Sequence, residues 1–199
     1  MKTILLTATA SLMARASIRP TFATLLTTVL LSLGVVEVAF SAQIQDGSPL
    51  PTAGLSGEKG GKLDGTAWDH HEFLGKVHLI FYVDPDERKQ GEQLEERLEG
   101  EKFPGNDVHS SAVINMAATS MPNFMIGMTL SAKQKRYPHT TYAKDFSRQL
   151  VTSWGLADNA YNFIIINRKG QLAYLKTGQP TKDELSAIVS KIRELIAAQ

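Results

Sequence analysis

The residues able to carry chemistry fall into a few short stretches. "VDPDE" ends an apolar run with Asp84, Asp86 and Glu87, three carboxylates in four residues. Oxygen ligands of this kind suit Ca²⁺ or Mg²⁺, but no EF-hand spacing accompanies them. Helix capping accounts for the group more simply: Asp84 as N-cap, Pro85 at the first helical position, Glu87 closing a capping box and Asp86 complementing the helix dipole. "DHHEF" sets His70 and His71 between Asp69 and Glu72, and imidazole is the commonest transition-metal ligand. Adjacent residues diverge unless the chain bends sharply, and the sequence places no third ligand. With His78 and His109 on neighbouring strands a converging site is conceivable; the plainer expectation is half-exposed loop and strand histidines.

Met116, Met121, Met125 and Met128 lie within 13 residues. Thioethers suit Cu(I), yet Met121, Met125 and Met128 at i, i+4, i+7 also make an apolar stripe, and core packing is the favoured reading. His109-Ser110-Ser111 lacks a nucleophile elbow, and adjacent strand residues point to opposite faces, so a Ser–His hydrolase is not expected. There is no phosphate loop or dinucleotide fingerprint, and no cofactor is expected. Cysteine is absent from all 199 residues, which removes thiol catalysis, disulfides and Cys-ligated metals.

The elements that must position these groups follow from periodicity and punctuation. Gln45 to Asp69 is Gly- and Pro-rich and reads as an extended lead-in with a small hairpin around Glu58–Gly61. Val77 to Val83 is a continuous apolar strand of the kind covered on both faces. A charged helix from the Asp84 cap to about Glu99 follows, ended by Gly100 and Pro104-Gly105. Val108 to Met116 is a second central strand and Pro122 to Arg136 a helix stopped by Pro138. Phe146 to Leu156 reads as a short helix with Phe146, Leu150 and Trp154 on one side. "NFIIIN–RKG–QLAYLKTG" is a hairpin in which Gly170 supplies a positive φ. The last helix opens at Thr181 with Glu184 as box partner and buries Leu185, Ile188, Val189, Ile192, Leu195 and Ile196.

The front of the chain has a different character. Met1 to Arg19 carries three basic residues and no acidic one, Thr21 to Val36 is apolar, and Ala39 and Ser41 offer small residues at signal-peptidase spacing. Residues 1–42 are therefore expected to be a cleaved signal peptide, with Met13 as an alternative start, and residues 43–199 a single domain. The rival is an uncleaved anchor, which an apolar run of about 16 residues is short to supply. Without residues 1–42 the chain has 18 Lys+Arg against 19 Asp+Glu, a net charge of −1. That balance gives no footprint for nucleic acid or for an anionic membrane.

A βαβ half followed by a ββα half is an α/β, three-layer arrangement of thioredoxin-like type, a central mixed sheet with helices on both faces. The stretches "DGSPLP", "LGKVHLIFYVDP", "NFIIINRKGQLAYLKTG" and "TKDELSAIVSKIRELI" resemble the peroxiredoxin and TlpA branch of that fold. With Lys135 to Pro138 and the Trp154 to Leu156 step, the chain is similar to the YtfJ-type family of exported bacterial proteins, which shares the fold and lacks redox cysteines. The resemblance implies a periplasmic, redox-inactive, non-enzymatic binding or accessory module whose partner is a periplasmic protein or peptide. The alternative is a copper- or zinc-binding protein. By position in the fold, the implied ligand groove is Tyr82, Asp84, Pro85, Asp86, Tyr161 and Asn162.

Overall fold

The computed structural model describes residues 44–198; the expected signal segment lies outside them. The chain runs through β1 (Gly54–Leu55), β2 (Gly60–Lys62), β3 (Trp68–Asp69), β4 (Val77–Val83), α1 (Glu92–Glu101), β5 (Val108–Asn115), α2 (Asn123–Arg136), β6 (Thr140–Asp145), α3 (Gln149–Trp154), β7 (Tyr161–Ile166), β8 (Leu172–Thr177) and α4 (Lys182–Ala197). Six strands form one mixed sheet in the order β2-β6-β5-β4-β7-β8, and β1 pairs with β3 in a separate ribbon. β4, β5 and β6 are parallel, while β2, β7 and β8 run antiparallel to their neighbours.

All seven residues of β4 are buried, as a run apolar at every position but His78 predicts for a central strand covered on both faces. Its side chains alternate between two cores. Val77, Leu79, Phe81 and Val83 join Leu94 and Leu98 of α1, Ile126 and Leu130 of α2, and Ile188, Val189 and Ile192 of α4. Ile80 and Tyr82 face the other way, toward Leu55, Trp68, Leu150 and Trp154. Thus α1, α2 and α4 cover one face of the sheet, and α3 with the β1–β3 ribbon covers the other.

The expected hairpin at Glu58–Gly61 is instead a 3₁₀ turn, Gly57–Lys59, leading into β2 on the sheet edge. Gly60 must be glycine there, because a Cβ would stand 1.9 Å from the Lys144 carbonyl oxygen. The final hairpin and helix follow the sequence reading: Gly170 has φ +79°, and Thr181 and Glu184 make a complete capping box.

Four more expectations need correction. Thr140–Asp145 is a strand, absent from the sequence reading, and it extends the parallel core by one unit. The short helix is confined to Gln149–Trp154, leaving Phe146 40% exposed and off the Leu150–Trp154 stripe. The helix after Asp84 opens as a 3₁₀ segment, Pro85–Gly91, and becomes α-helical only at Glu92. It then passes through Gly100, and Lys102 takes the left-handed C-cap conformation at φ +49°. Finally, Met125 and Met128 are 48% and 69% exposed; α2 buries Ile126 and Leu130 instead of its methionines.

Candidate functional site

The strand–helix junction forms around Asp84, which sits at the carboxyl end of β4. Its Oδ1 accepts from the Asp86 N–H at 2.9 Å, and its own N–H donates to the Ala160 carbonyl at 3.0 Å. Capping two residues on, not three, matches the tighter 3₁₀ pitch. Glu87 closes no box; its carboxylate accepts from the Gln90 side chain. Asp84 is 3% exposed, and burial pushes its carboxyl above the usual value, helped by the charges of Asp86, Glu87 and Asp158 and opposed by the Asp86 N–H.

Of the other expected groove residues, all but Asp86 lie in the interior. Tyr82 donates to Asp145 Oδ2 at 3.2 Å, and Asn162 bridges the Ala157 carbonyl and the Thr177 hydroxyl. Tyr161 lies against Gly91, where a Cβ would meet its ring at 2.0 Å. Tyr82, Asp84, Pro85, Tyr161 and Asn162 are all buried, and only Asp86 of the six is exposed. The structure therefore fills this junction with its own side chains.

The open space lies beside it. A cleft of about 820 Å³ runs between α1 and α2 over the strands β4, β5 and β6. Leu79, Phe81, Ala112, Ile114 and Tyr142 line its floor, and Glu92, Glu95, Glu99 and Lys133 stand on its walls. Burial pushes the Tyr142 hydroxyl up to about 12, so it stays protonated as a hydrogen-bonding group. Lys133 Nζ reaches Glu95 Oε2 at 3.6 Å, and Tyr137 donates to Glu99 Oε2 at 3.3 Å, so two polar contacts cross the mouth. The cleft exists because α2 sends only Ile126 and Leu130 into the core. On the same helix Phe124, Met125 and Met128 stand 69%, 48% and 69% exposed. Cleft volumes of roughly 300–1,000 Å³ with an apolar lining and a few polar groups are typical of ligand sites.

The histidines are not half-exposed as a group. His78 and His70 are 1% and 3% exposed. His78 Nε2 lies 2.8 Å from Ser111 Oγ, which also accepts from the Trp68 indole N–H at 3.3 Å. The residue pair dismissed on sequence grounds was His109 with its neighbours; the pair that meets is His78 with Ser111, across the β4–β5 register. The pair is sealed from solvent. His109 stacks on Phe73 at 3.8 Å between ring centres and contacts Thr141 Oγ1 at 3.0 Å. Burial holds His78 well below the usual histidine range and lowers His109 to about 4.

Sequence reasoning missed the cleft entirely. The alternation in β4 pointed Leu79 and Phe81 to one face, but the gap depends on the β6 strand and on how little of α2 is buried.

Comparison with known proteins gives the same architecture. A family model described as a bacterial protein of unknown function (YtfJ_HI0045) matches residues 53–195. The Escherichia coli (strain K12) protein "Uncharacterized protein YtfJ" is 19% identical over 167 residues, covering 80% of this chain and 91% of that one. Among solved structures, the exposed lipoprotein thioredoxin Etrx1 of Streptococcus pneumoniae superposes with a TM-score of 0.52 at 18% identity, over 72% of this chain and 98% of that one. A peroxiredoxin-like protein from Aquifex aeolicus gives 0.54 at 18% identity, over 77% and 88%. A Chlorobium tepidum protein titled a putative Thiol:disulfide interchange protein DsbE gives 0.53 at 15% identity, over 78% and 100%. The fold is thioredoxin-like: a mixed six-stranded sheet between helical layers. Thioredoxins exchange disulfides through a cysteine activated at a helix N-terminus. Here Asp84-Pro85-Asp86-Glu87 occupies the helix start after β4, and the chain contains no thiol.

Proposed function

The chain belongs to the YtfJ_HI0045 family of bacterial proteins, and from that premise we propose that it is an exported, non-enzymatic binding module that holds an apolar polypeptide segment in the α1–α2 cleft. The observation that carries this reading is the cleft itself, about 820 Å³ over an apolar floor, on a fold whose usual reactive junction is packed shut. Phe124, Met125 and Met128 do not line the cleft and leave a separate exposed apolar strip on α2. Methionine side chains repack easily around different partners. Glu92, Glu95, Glu99 and Lys133 provide the polar rim that surrounds the apolar centre of protein interfaces. The signal-like front of the sequence supports a periplasmic location and a periplasmic protein or peptide as the partner.

The test is selection of peptides from a random library on the wild-type protein, followed by affinity measurement on Ala112→Trp, which plugs the cleft floor, and Phe124→Ser on the open face of α2. Selected peptides rich in apolar residues should bind the plugged variant at least about tenfold more weakly at unchanged melting temperature. Equal affinity for wild type and Ala112→Trp would remove the cleft from the proposal.

A further inference from the structure

The sequence places Asp69, His70 and His71 in succession, where extended backbone would scatter their side chains. The fold prevents that. Asp69 ends β3 as the N-cap of a 3₁₀ turn, His70–Phe73, and the turn brings one donor atom from each of the three residues within 4.8 Å of the others. Asp69 Oδ1 lies 2.8 Å from His71 Nδ1 and 3.4 Å from His70 Nδ1. The imidazole rings of His70 and His71 stand 4.0 Å apart, centre to centre.

A second observation marks this turn as a site. His70 is 3% exposed, its ring set edge-on against Trp154 at 5.2 Å, yet neither Nδ1 nor Nε2 has a hydrogen-bond partner among the described residues. Buried polar atoms in native proteins are almost always satisfied, by protein, water or an ion. The nearby cation, Lys62, is held by Glu72 and does not occupy the site.

We propose that Asp69, His70 and His71 form a binding site for a single divalent transition-metal ion of the zinc class. Two imidazoles and a carboxylate are the ligand types zinc takes, and tetrahedral zinc with bonds of about 2.0–2.1 Å separates its ligand atoms by about 3.4 Å. The 3.4 Å between Asp69 Oδ1 and His70 Nδ1 sits at that value, and the 2.8 Å hydrogen bond between Asp69 Oδ1 and His71 Nδ1 has to lengthen by about 0.6 Å to reach it. On binding, the ion replaces the proton between Asp69 Oδ1 and His71 Nδ1, and that proton moves to His71 Nε2. The Asp69 and His71 side chains are 35% and 45% exposed, so the fourth position opens to solvent and takes water or an exchangeable ligand. Three protein ligands with one open position distinguish such a site from a closed structural one. The site is separate from the α1–α2 cleft and stands whether or not the cleft binds a peptide.

The experiment is calorimetric titration of the metal-free, tag-free full-length protein with Zn²⁺, repeated with Co²⁺ to read coordination from its d–d absorption. Wild type should bind one Zn²⁺, and Co²⁺ should give the intense bands of four-coordinate geometry. His71→Ala and Asp69→Asn should each weaken binding at least about tenfold. Asn is as good an N-cap as Asp, so the Asp69→Asn result cannot come from a lost turn. Absence of binding at micromolar protein, or affinities within twofold of wild type in both variants, would overturn the assignment and leave the His70 nitrogens to buried water.

Discussion

Ser111 makes a sharp test of how the two buried layers are joined. Its hydroxyl is fully buried and lies between His78 Nε2 at 2.8 Å and the Trp68 indole N–H at 3.3 Å. The arrangement that satisfies both contacts has Oγ accepting from Trp68 and donating its own proton to His78. Ser111→Ala then leaves two buried polar groups unpaired at once. At about 1–3 kcal/mol for each unsatisfied buried group, the loss is about 2–6 kcal/mol. For a domain of this size that lowers the melting temperature by about 4–24 °C. His78 is neutral throughout the physiological range because burial holds its pKa far down, so the loss should not change between pH 6.5 and 8. Urea denaturation measures it, with an unchanged m-value as the check that only stability has moved. His78→Phe with Ser111→Ala removes both partners of one bond, so the double variant should be less destabilised than the sum of the singles by about 1–2 kcal/mol. A loss below about 0.5 kcal/mol for Ser111→Ala, or strict additivity of the pair, would refute the reasoning.

Gly91→Ala drives a methyl to 2.0 Å from the buried ring of Tyr161, and neither ring nor helix backbone can yield cheaply. The variant should lose at least about 2 kcal/mol in urea; a neutral substitution would show that the ring does not rest on this backbone. His70 and His109 are both lowered to about 4, whereas an unfolded histidine titrates near 6.5. The unfolded chain therefore binds more protons between those values, so stability is full above about pH 6.5 and falls as the pH drops toward 4. Solvent screening at the half-buried His109 ring brings the loss to about 1–3 kcal/mol in total. His109→Gln should flatten the profile in that window, and an identical pH dependence would exclude His109 as a contributor.

The strongest local signals in the sequence translated directly into structure. The run from Val77 to Val83, apolar at every position but His78, specified a strand buried on both faces, and the Thr181–Glu184 box with its apolar stripe specified α4. The Asn167–Gly170 turn specified the last hairpin, because only a residue tolerant of positive φ fits there. These choices depend on neighbours a few residues away. The missed strand, Thr140–Asp145, has no such autonomy: its alternation is weak, and it becomes a strand by pairing with β5 on one side and β2 on the other. The methionines show the opposite failure. Their helical spacing was real, but which side of α2 meets the sheet is set by Ile126 and Leu130.

What the sequence determined by itself was the chemistry the protein lacks and the order of its main elements. A chain without cysteine has no thiol wherever it folds, and capping, periodicity and turn residues act over single turns. The tertiary structure decided everything that depends on distance across the fold. It buried Asp84, Tyr161 and Asn162 where a groove was expected, opened a cleft between α1 and α2, and paired His78 with Ser111 across two strands. It also bent Asp69, His70 and His71 into one cluster. Each of these depends on strand register and on how deeply a helix seats against the sheet. Both follow from the sum of many weak packing energies, and no short stretch of sequence encodes that sum.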